Sequence, residues 1–119
     1  MKENVLKDKA FDFALRIVKL YQYLANEKRE FVMSKQVLRS GTSIGANIEE
    51  ANQAQSKLDF IHKLSISQKE SFETHYWIRL LRDSLFLNEK LATSLLNDCE
   101  QLQKLLTSSI KTAKMSLKK

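Results

Sequence analysis

Both glycines of this 119-residue chain lie in one stretch, SGTSIGAN at residues 40–47, and the chain contains no proline. Average composition would give roughly six prolines and eight glycines at this length. So few turn-forming residues argue against a many-stranded β-fold, which needs them at its hairpins. Because 43% of the residues are hydrophobic, a fully disordered chain is also excluded. The composition therefore predicts long helices joined by short connections.

The apolar periodicity of the surrounding segment continues across the two glycines. Val37, Ile44 and Ile48 stay in helical phase on either side of them. A glycine inside a helix costs about 1 kcal/mol relative to alanine, so Gly41 and Gly45 must serve some structural purpose. We favour a continuous helix, straight or kinked at Gly45, in which the glycines form a smooth strip for a close neighbour. A loop that splits the segment is the alternative interpretation.

Four segments repeat apolar residues at steps of three and four, the period of an amphipathic helix. They lie at about residues 4–25, 32–54, 57–84 and 89–115. Ser56 and Asn88 precede the third and fourth segments as N-cap residues, since their side-chain oxygens can accept from the first helical turn. Long helices with short links predict an all-α, up-down-up-down antiparallel four-helix bundle, in a single domain over residues 1–119.

The third segment carries unusually small side chains in the middle of its apolar face. These are Ser67, Ser71 and Thr74. They match the smooth strip that Gly41 and Gly45 form on the second segment. We therefore predict that the second and third helices pack closely along a seam of small residues.

Basic residues repeat every seven positions at both ends of the chain, which has a formal net charge of +6. A seven-residue step returns to nearly the same helical face. The two stripes are Lys2, Lys9 and Arg16 in the first segment and Lys104, Lys111 and Lys118 in the fourth, with Lys114 beside them. Because the first and fourth helices should be neighbours, we expect one basic surface that binds RNA or DNA phosphates. An ordinary lysine-rich exterior is the alternative.

Aromatic and aliphatic bulk on the third segment points away from the predicted core. The residues are Ile66, Phe72, Tyr76, Trp77 and Leu80. One bundle seam cannot bury side chains that point in so many directions. We interpret this set as an oligomer interface, with burial inside the bundle as the alternative.

Little in the sequence points to catalysis or to a metal. Asp59-x-x-His62 places two potential ligands one turn apart, but the further ligands that a di-iron bundle needs are missing. The single Cys99 cannot form an internal disulfide and is expected to pack as a small apolar residue. We predict no catalytic residue, no metal and no cofactor; a small nuclease or metal enzyme is the weakest alternative.

The charge and hydropathy patterns of the chain indicate where in the cell the protein is located. Charged residues interrupt the first ten positions too often for a secretory signal. No apolar run reaches the ~18 residues of a membrane helix. We therefore expect a cytoplasmic protein with no membrane partner.

Residues 38–81 resemble a bacterial four-helix-bundle family whose members include proteins encoded in intervening sequences of 23S ribosomal RNA genes. A relative of that family is the accessory variability protein of diversity-generating retroelements. The resemblance is carried by four elements: Ser43-Ile44, Asn47-Ile48-x-Glu50-Ala51, Phe60-Ile61-x-x-Leu64 and Glu73-Thr74. The chain departs from the family at Gly45, where proline is common.

The resemblance implies a homopentameric ring of bundles. It also implies a nucleic-acid-binding accessory role, with a protein partner such as a reverse transcriptase. It supplies no catalytic residue, so Asn47, Glu50 and Glu73 are interpreted as structural groups that bond across the seam or at a subunit contact. The expected function is a non-enzymatic scaffold or accessory that binds RNA or DNA. A protein-binding adaptor with no nucleic-acid role is the alternative.

Overall fold

A computed structural model of the protein describes the backbone of residues 2–118 and the side chains of residues 5–118. It contains four helices: α1 (Lys2–Asn26), α2 (Met33–Asn52), α3 (Lys57–Asp83) and α4 (Glu89–Leu117). Each end lies within two residues of its predicted position. The bundle measures 52 × 21 × 20 Å. Within the described residues there is no strand, and the predicted all-α class is confirmed.

Contacts between helices show that each runs antiparallel to the next. On α2 and α3, Ser40 lies against Thr74 while Ile44 lies against Ser67, so one helix ascends as the other descends. α2 and α3 share the most extensive contact and α1 and α4 the least. The diagonal pairs, α1 with α3 and α2 with α4, bring no Cα atoms within 8 Å of each other over the described residues. The predicted up-down-up-down topology is confirmed.

One face of each helix enters a common core. On α1 this face consists of residues at steps of three and four, all at most 4% exposed: Leu6, Ala10, Phe13, Ile17, Leu20 and Leu24. Fully burying one leucine, isoleucine or phenylalanine side chain contributes about 1.5–3 kcal/mol. The apolar periodicity is therefore the main energetic reason that these four segments associate.

The starts of α3 and α4 are capped as predicted. The Ser56 hydroxyl accepts a hydrogen bond from the Asp59 backbone N–H at 3.0 Å. The Asn88 side-chain oxygen accepts from the Leu91 N–H at 2.7 Å. Each cap satisfies a backbone donor that has no partner within the helix.

The start of α2 is held by Glu30, a residue that looked like part of a polar loop. Glu30 is only 9% exposed, and its carboxylate accepts from the N–H groups of Met33 at 3.0 Å and Ser34 at 2.7 Å. Burial alone would raise the pKa of Glu30, but the backbone N–H donors of Met33, Ser34 and Val32 outweigh it, and the pKa lies below its ordinary value. The ionised carboxylate thus replaces the usual N-cap side chain.

The glycine stretch is helical throughout, as favoured over a loop, but its glycines face α1 and not α3. A Cβ atom on Gly41 would lie 2.8 Å from Cγ1 and Cγ2 of Ile17. A Cβ atom on Gly45 would lie 3.6 Å from the Cβ of Ala10. The expected pairing of the glycines with the serines of α3 is therefore wrong. The strip lets α1 approach α2 closely.

The contact between α2 and α3 is made by hydroxyl groups. The buried Ser67 hydroxyl donates to the Ile44 carbonyl at 2.8 Å, and the Thr74 and Ser40 hydroxyls lie 2.9 Å apart. The Ser71 hydroxyl bonds instead within α3, to the Gln68 carbonyl at 2.6 Å. Small polar residues here let the helices approach while hydrogen bonds satisfy their buried oxygens.

Charged residues at the rim of this seam also cross it. Glu50 pairs with Lys63 at 3.0 Å, and Glu73 pairs with Arg39. Asn47 does not cross, because its side-chain amide donates to the Ser43 carbonyl within α2 at 2.8 Å. Of the three polar residues expected to bond across the seam or at a subunit contact, Glu50 and Glu73 bond across the seam.

Candidate nucleic-acid interface

The basic residues of α1 lie on the contact with α4. The Arg16 guanidinium pairs with Asp98 at 2.6 Å, and the Lys9 ammonium donates to the Gln101 side chain at 3.3 Å. Lys2 lies outside the residues whose side chains are described. Arg16 and Lys9 therefore fasten α1 to α4, the least extensive of the four helix contacts.

The lysines of α4 lie on its other flank, beside α3. The Gln103 side-chain amide reaches the Ser71 carbonyl of α3 at 3.3 Å, and Thr107 accepts from the Gln68 amide at 2.6 Å. Lys104 follows Gln103 directly along α4, and Lys111 lies one turn beyond Thr107 on the same flank. Because Asp98 and Gln101 face α1 instead, the two predicted basic stripes do not merge into one surface.

Two shallow hollows follow this flank of α4. The first, about 510 Å³, is lined by Glu100, Gln103, Lys104, Thr107, Ser108 and Lys111. The second, about 400 Å³, is lined by Gln68, Thr107, Ile110, Lys111, Lys114, Met115 and Lys118. They share Thr107 and Lys111, so they form one continuous depression, which we call the α4 lysine track. Ammonium, hydroxyl and amide groups line it, and all three can donate to a phosphate oxygen.

The four lysines of the track are exposed and form no ion pair within the described residues. The acid that lines the track with them is Glu100, which lies one turn from Lys104 and accepts a hydrogen bond from Nε2 of the His75 ring at 2.8 Å. The Arg79 guanidinium in turn donates to the other ring nitrogen of His75 at 3.0 Å. This chain of contacts orients Glu100 toward α3 and leaves the ammonium groups available to an external anion.

The predicted aromatic surface of α3 divides into two parts. Phe72, Tyr76 and Leu80, spaced by four residues along one face, are 57%, 48% and 37% exposed. Trp77 is half-buried against the core and its indole N–H donates to Glu73 at 3.0 Å. Ile66, eleven residues before Trp77, is also half-buried. Three of the five expected interface residues are therefore solvent-exposed.

Glu73 joins the half-buried part of this surface to α2. The Trp77 indole N–H and the Arg39 guanidinium both donate to its carboxylate. The pKa of Glu73 lies below its ordinary value, first because of the Trp77 hydrogen bond and then, against the opposing effect of burial, because of Arg39. Glu73 is thus a structural anion that positions the indole.

Among the described residues no group of three or more His, Cys, Asp or Glu side chains is placed to hold a metal ion. Cys99 is buried, with its thiol 3.2 Å from the Ser71 carbonyl. Burial, reinforced by the negative charges of Glu100 and Asp98, raises the pKa of this thiol to about 12. A thiol held neutral in this way is a poor nucleophile.

None of the four helices, over the part of the chain that the structure describes, combines the length and apolar character that a bilayer span requires.

Comparison with known proteins identifies relatives of this bundle. The sequence profile described as 23S rRNA-intervening sequence protein matches residues 2–108. A crystal structure from Bacteroides thetaiotaomicron, of a protein with unknown function from the S23 ribosomal protein family, is 58% identical in sequence. The match covers 93% of this chain and 99% of that chain, with a TM-score of 0.92. No curated protein matches the chain. Because the family profile spans most of the sequence, this four-helix bundle belongs to the 23S rRNA-intervening sequence protein family.

Proposed function

We propose that the chain is a non-enzymatic, homo-oligomeric accessory protein of the cytoplasm that binds RNA or DNA through backbone phosphates. The observation that carries the proposal is the α4 lysine track. Four exposed lysines without ion-pair partners in the described chain border one continuous depression rich in hydrogen-bond donors. Clustered positive charge is the main requirement for sequence-independent binding to a phosphate backbone.

The length of the track suits a nucleic-acid backbone. Lys104, Lys111 and Lys118 are spaced by seven residues, which at 1.5 Å per residue separates their Cα atoms by about 10 Å per step. The three positions therefore extend over about 21 Å, comparable to the rise of about six base pairs at 3.4 Å each. No aromatic side chain lines the track, so the proposed contacts are ionic and not base stacking.

The proposal is tested by measuring affinity for single- and double-stranded RNA at about 50 and 200 mM salt. Wild-type protein should bind at low salt and lose affinity steeply as salt rises, because binding releases counterions. Lys104→Glu with Lys111→Glu should weaken binding by at least about tenfold and flatten the salt dependence by about one unit of slope per lost contact.

A matched control separates the track from net charge. Lys19→Glu with Lys35→Glu makes the same change in charge at two exposed lysines on α1 and α2, and it should weaken binding much less. Absence of binding at low salt would remove the nucleic-acid role. Equal losses in both double variants would show that overall charge, and not the track, is responsible.

A second candidate function, a protein-binding adaptor, is favoured by the exposed Phe72 and Tyr76 on α3. Pulldown after nuclease treatment distinguishes it. Partners that remain bound without nucleic acid would support the adaptor, whereas their release would support the nucleic-acid accessory.

A further inference from the structure

Two apolar surfaces of this chain are exposed and lie on different helices. The first, the α3 ridge, consists of Phe72, Tyr76 and Leu80 at successive turns of one helical face. The second, the α1–α2 groove, is a depression of about 340 Å³ whose apolar lining is Phe11 and Ala14 on α1 and Gly45 and Ala46 on α2. Thr42, Lys7 and Glu49 complete its lining, and Lys7 pairs with Glu49 at 3.9 Å. Phe11, at 61% exposed, and the neighbouring Leu15, at 51%, extend the apolar surface of the groove outward.

The ridge and the groove lie on different sides of the bundle. The groove lies between α1 and α2, and α1 and α3 bring no Cα atoms within 8 Å of each other over the described residues. Within one chain neither surface can reach the other. A contact between like surfaces would cover only one of them and leave the second exposed to water.

The dimensions of the two surfaces match. From Phe72 to Leu80 the ridge extends over eight residues, about 12 Å of helix. From Lys7 to Ala14 the α1 wall of the groove extends over seven residues, about 10 Å. Little side-chain volume fills the floor of the groove, because Gly45 has no side chain and Ala46 has only a methyl group. A row of bulky side chains therefore has space to enter it.

The charges around the two surfaces are complementary. Exposed Asp8 and Asp12 lie one turn apart on α1, and by helical spacing they flank Phe11 and Leu15. Exposed Lys69 and Arg79 lie beside the ridge on α3. The acids beside the ridge, Glu73 and Asp83, are already paired with Arg39 and Arg82. Opposite charges at the rim of an apolar contact favour one orientation and raise the rate of association.

We propose that the α3 ridge of one subunit docks into the α1–α2 groove of a second copy of this chain, as a heterologous head-to-tail contact. This inference rests on the homo-oligomer of the proposed function and names the two surfaces that form it. Because each subunit offers both surfaces, the contact repeats from copy to copy, and it produces a ring wherever the rotation between neighbours closes.

The experiment uses two variants that each disable one surface. Tyr76→Glu places a charge on the ridge, and Ala46→Arg fills the groove from an exposed position. Light scattering should show that the wild type is an assembly and that each variant alone is a monomer. An equimolar mixture should form a 1:1 heterodimer, because the intact ridge of one variant meets the intact groove of the other.

Controls separate this contact from other causes. Leu58→Glu changes a more exposed apolar residue in the first turn of α3 and should leave the assembly intact. Circular dichroism reports whether each variant is folded, and Phe11→Glu provides a second groove variant if Ala46→Arg does not fold.

Two results would overturn the inference in different ways. If wild-type protein is monomeric at micromolar concentration, the homo-oligomer of the proposed function fails with it. If wild-type protein assembles but the groove variants assemble equally well, or the mixture stays monomeric, only the ridge-to-groove contact fails. RNA affinity is measured separately, so neither result depends on the lysine track.

Discussion

The two sides of α2 use small residues for different purposes. Toward α1, Gly41 and Gly45 remove side chains so that Ile17 and Ala10 can approach the helix backbone. Toward α3, small hydroxyl residues keep the helices close and also bond across the contact, as Ser67 does to the Ile44 carbonyl. The contact of α2 with α1 depends on the absence of side chains at the glycines. The contact of α2 with α3 depends on hydrogen bonds. Substitutions on the two sides should therefore change the free energy of unfolding for different reasons.

The largest effect is expected at Gly41. In Gly41→Val the new Cβ atom would lie 2.8 Å from two carbon atoms of Ile17, which is fully buried and stiff at its branched Cβ. Overpacking of this kind should lower the free energy of unfolding by about 3 kcal/mol, measured by urea denaturation.

A double-mutant cycle tests the cause. Shortening the partner with Ile17→Ala should relieve the clash, so the combined loss should be smaller than the sum of the single losses by at least about 1 kcal/mol. Strictly additive losses would show that Gly41 does not act through Ile17.

Glu30, at the start of α2, makes the stability of the bundle depend on pH. Glu30→Gln should lower stability at pH 7 by about 1–2 kcal/mol, because a neutral amide accepts the Met33 and Ser34 N–H bonds less strongly than a carboxylate. The folded pKa of Glu30 is below its ordinary value, so its stabilisation is complete above the unfolded value of about 4.3 and is lost as pH falls through the folded pKa.

Urea unfolding at several pH values between 3 and 7 checks this prediction. The difference between wild type and Glu30→Gln should shrink as the solution becomes more acidic. A difference that stays constant over this range would contradict the role of the ionised carboxylate.

On the α3 side, Ser67→Ala should lower the free energy of unfolding by about 1 kcal/mol, the typical net value of one buried hydrogen bond. Ser65→Ala is the matched control, because the Ser65 hydroxyl bonds only within α3, to the Ile61 carbonyl at 2.8 Å. The control should be neutral or slightly stabilising, since alanine favours the helix. Equal losses of stability in Ser67→Ala and Ser65→Ala would show that the hydrogen bond between the helices contributes no more than one within α3.

The smallest effect, with the opposite sign, is expected at Gly45. A Cβ atom there would meet Ala10 at an ordinary distance of 3.6 Å, so Gly45→Ala should stabilise the helix by about 0.5–1 kcal/mol. Thermal and urea unfolding should be compared at a protein concentration at which the chain is monomeric, so that assembly does not contribute. A loss of stability would mean that α1 approaches Gly45 more closely than the structure shows.

The sequence predicts the helices and their order because apolar periodicity, Ser56 and Asn88 are local signals. The prediction that Gly41 and Gly45 face α3 is wrong for a geometric reason. Ser40 and Gly41 are adjacent in sequence but about 100° apart around the helix, so they face different neighbours. Periodicity identifies the residues that share a face and does not identify the helix that the face meets.

The candidate nucleic-acid interface could also be predicted only in part from the sequence. Seven-residue spacing correctly groups the lysines of α4 on one flank, but it does not reveal that Arg16 pairs with Asp98, which is 82 residues away in the chain. Glu30 was missed because it lies in the polar run before α2 and looks like a loop residue. Its position four residues before Ser34 is the one local sign of its capping role.

The buried position of Cys99 allows its thiol to report when α3 and α4 separate. Its thiol lies between α3 and α4 against the Ser71 carbonyl, and it is the one cysteine of the chain. A soluble alkylating reagent can reach this sulfur only when the two helices separate. The labelling rate in native buffer therefore measures how often that half of the bundle opens.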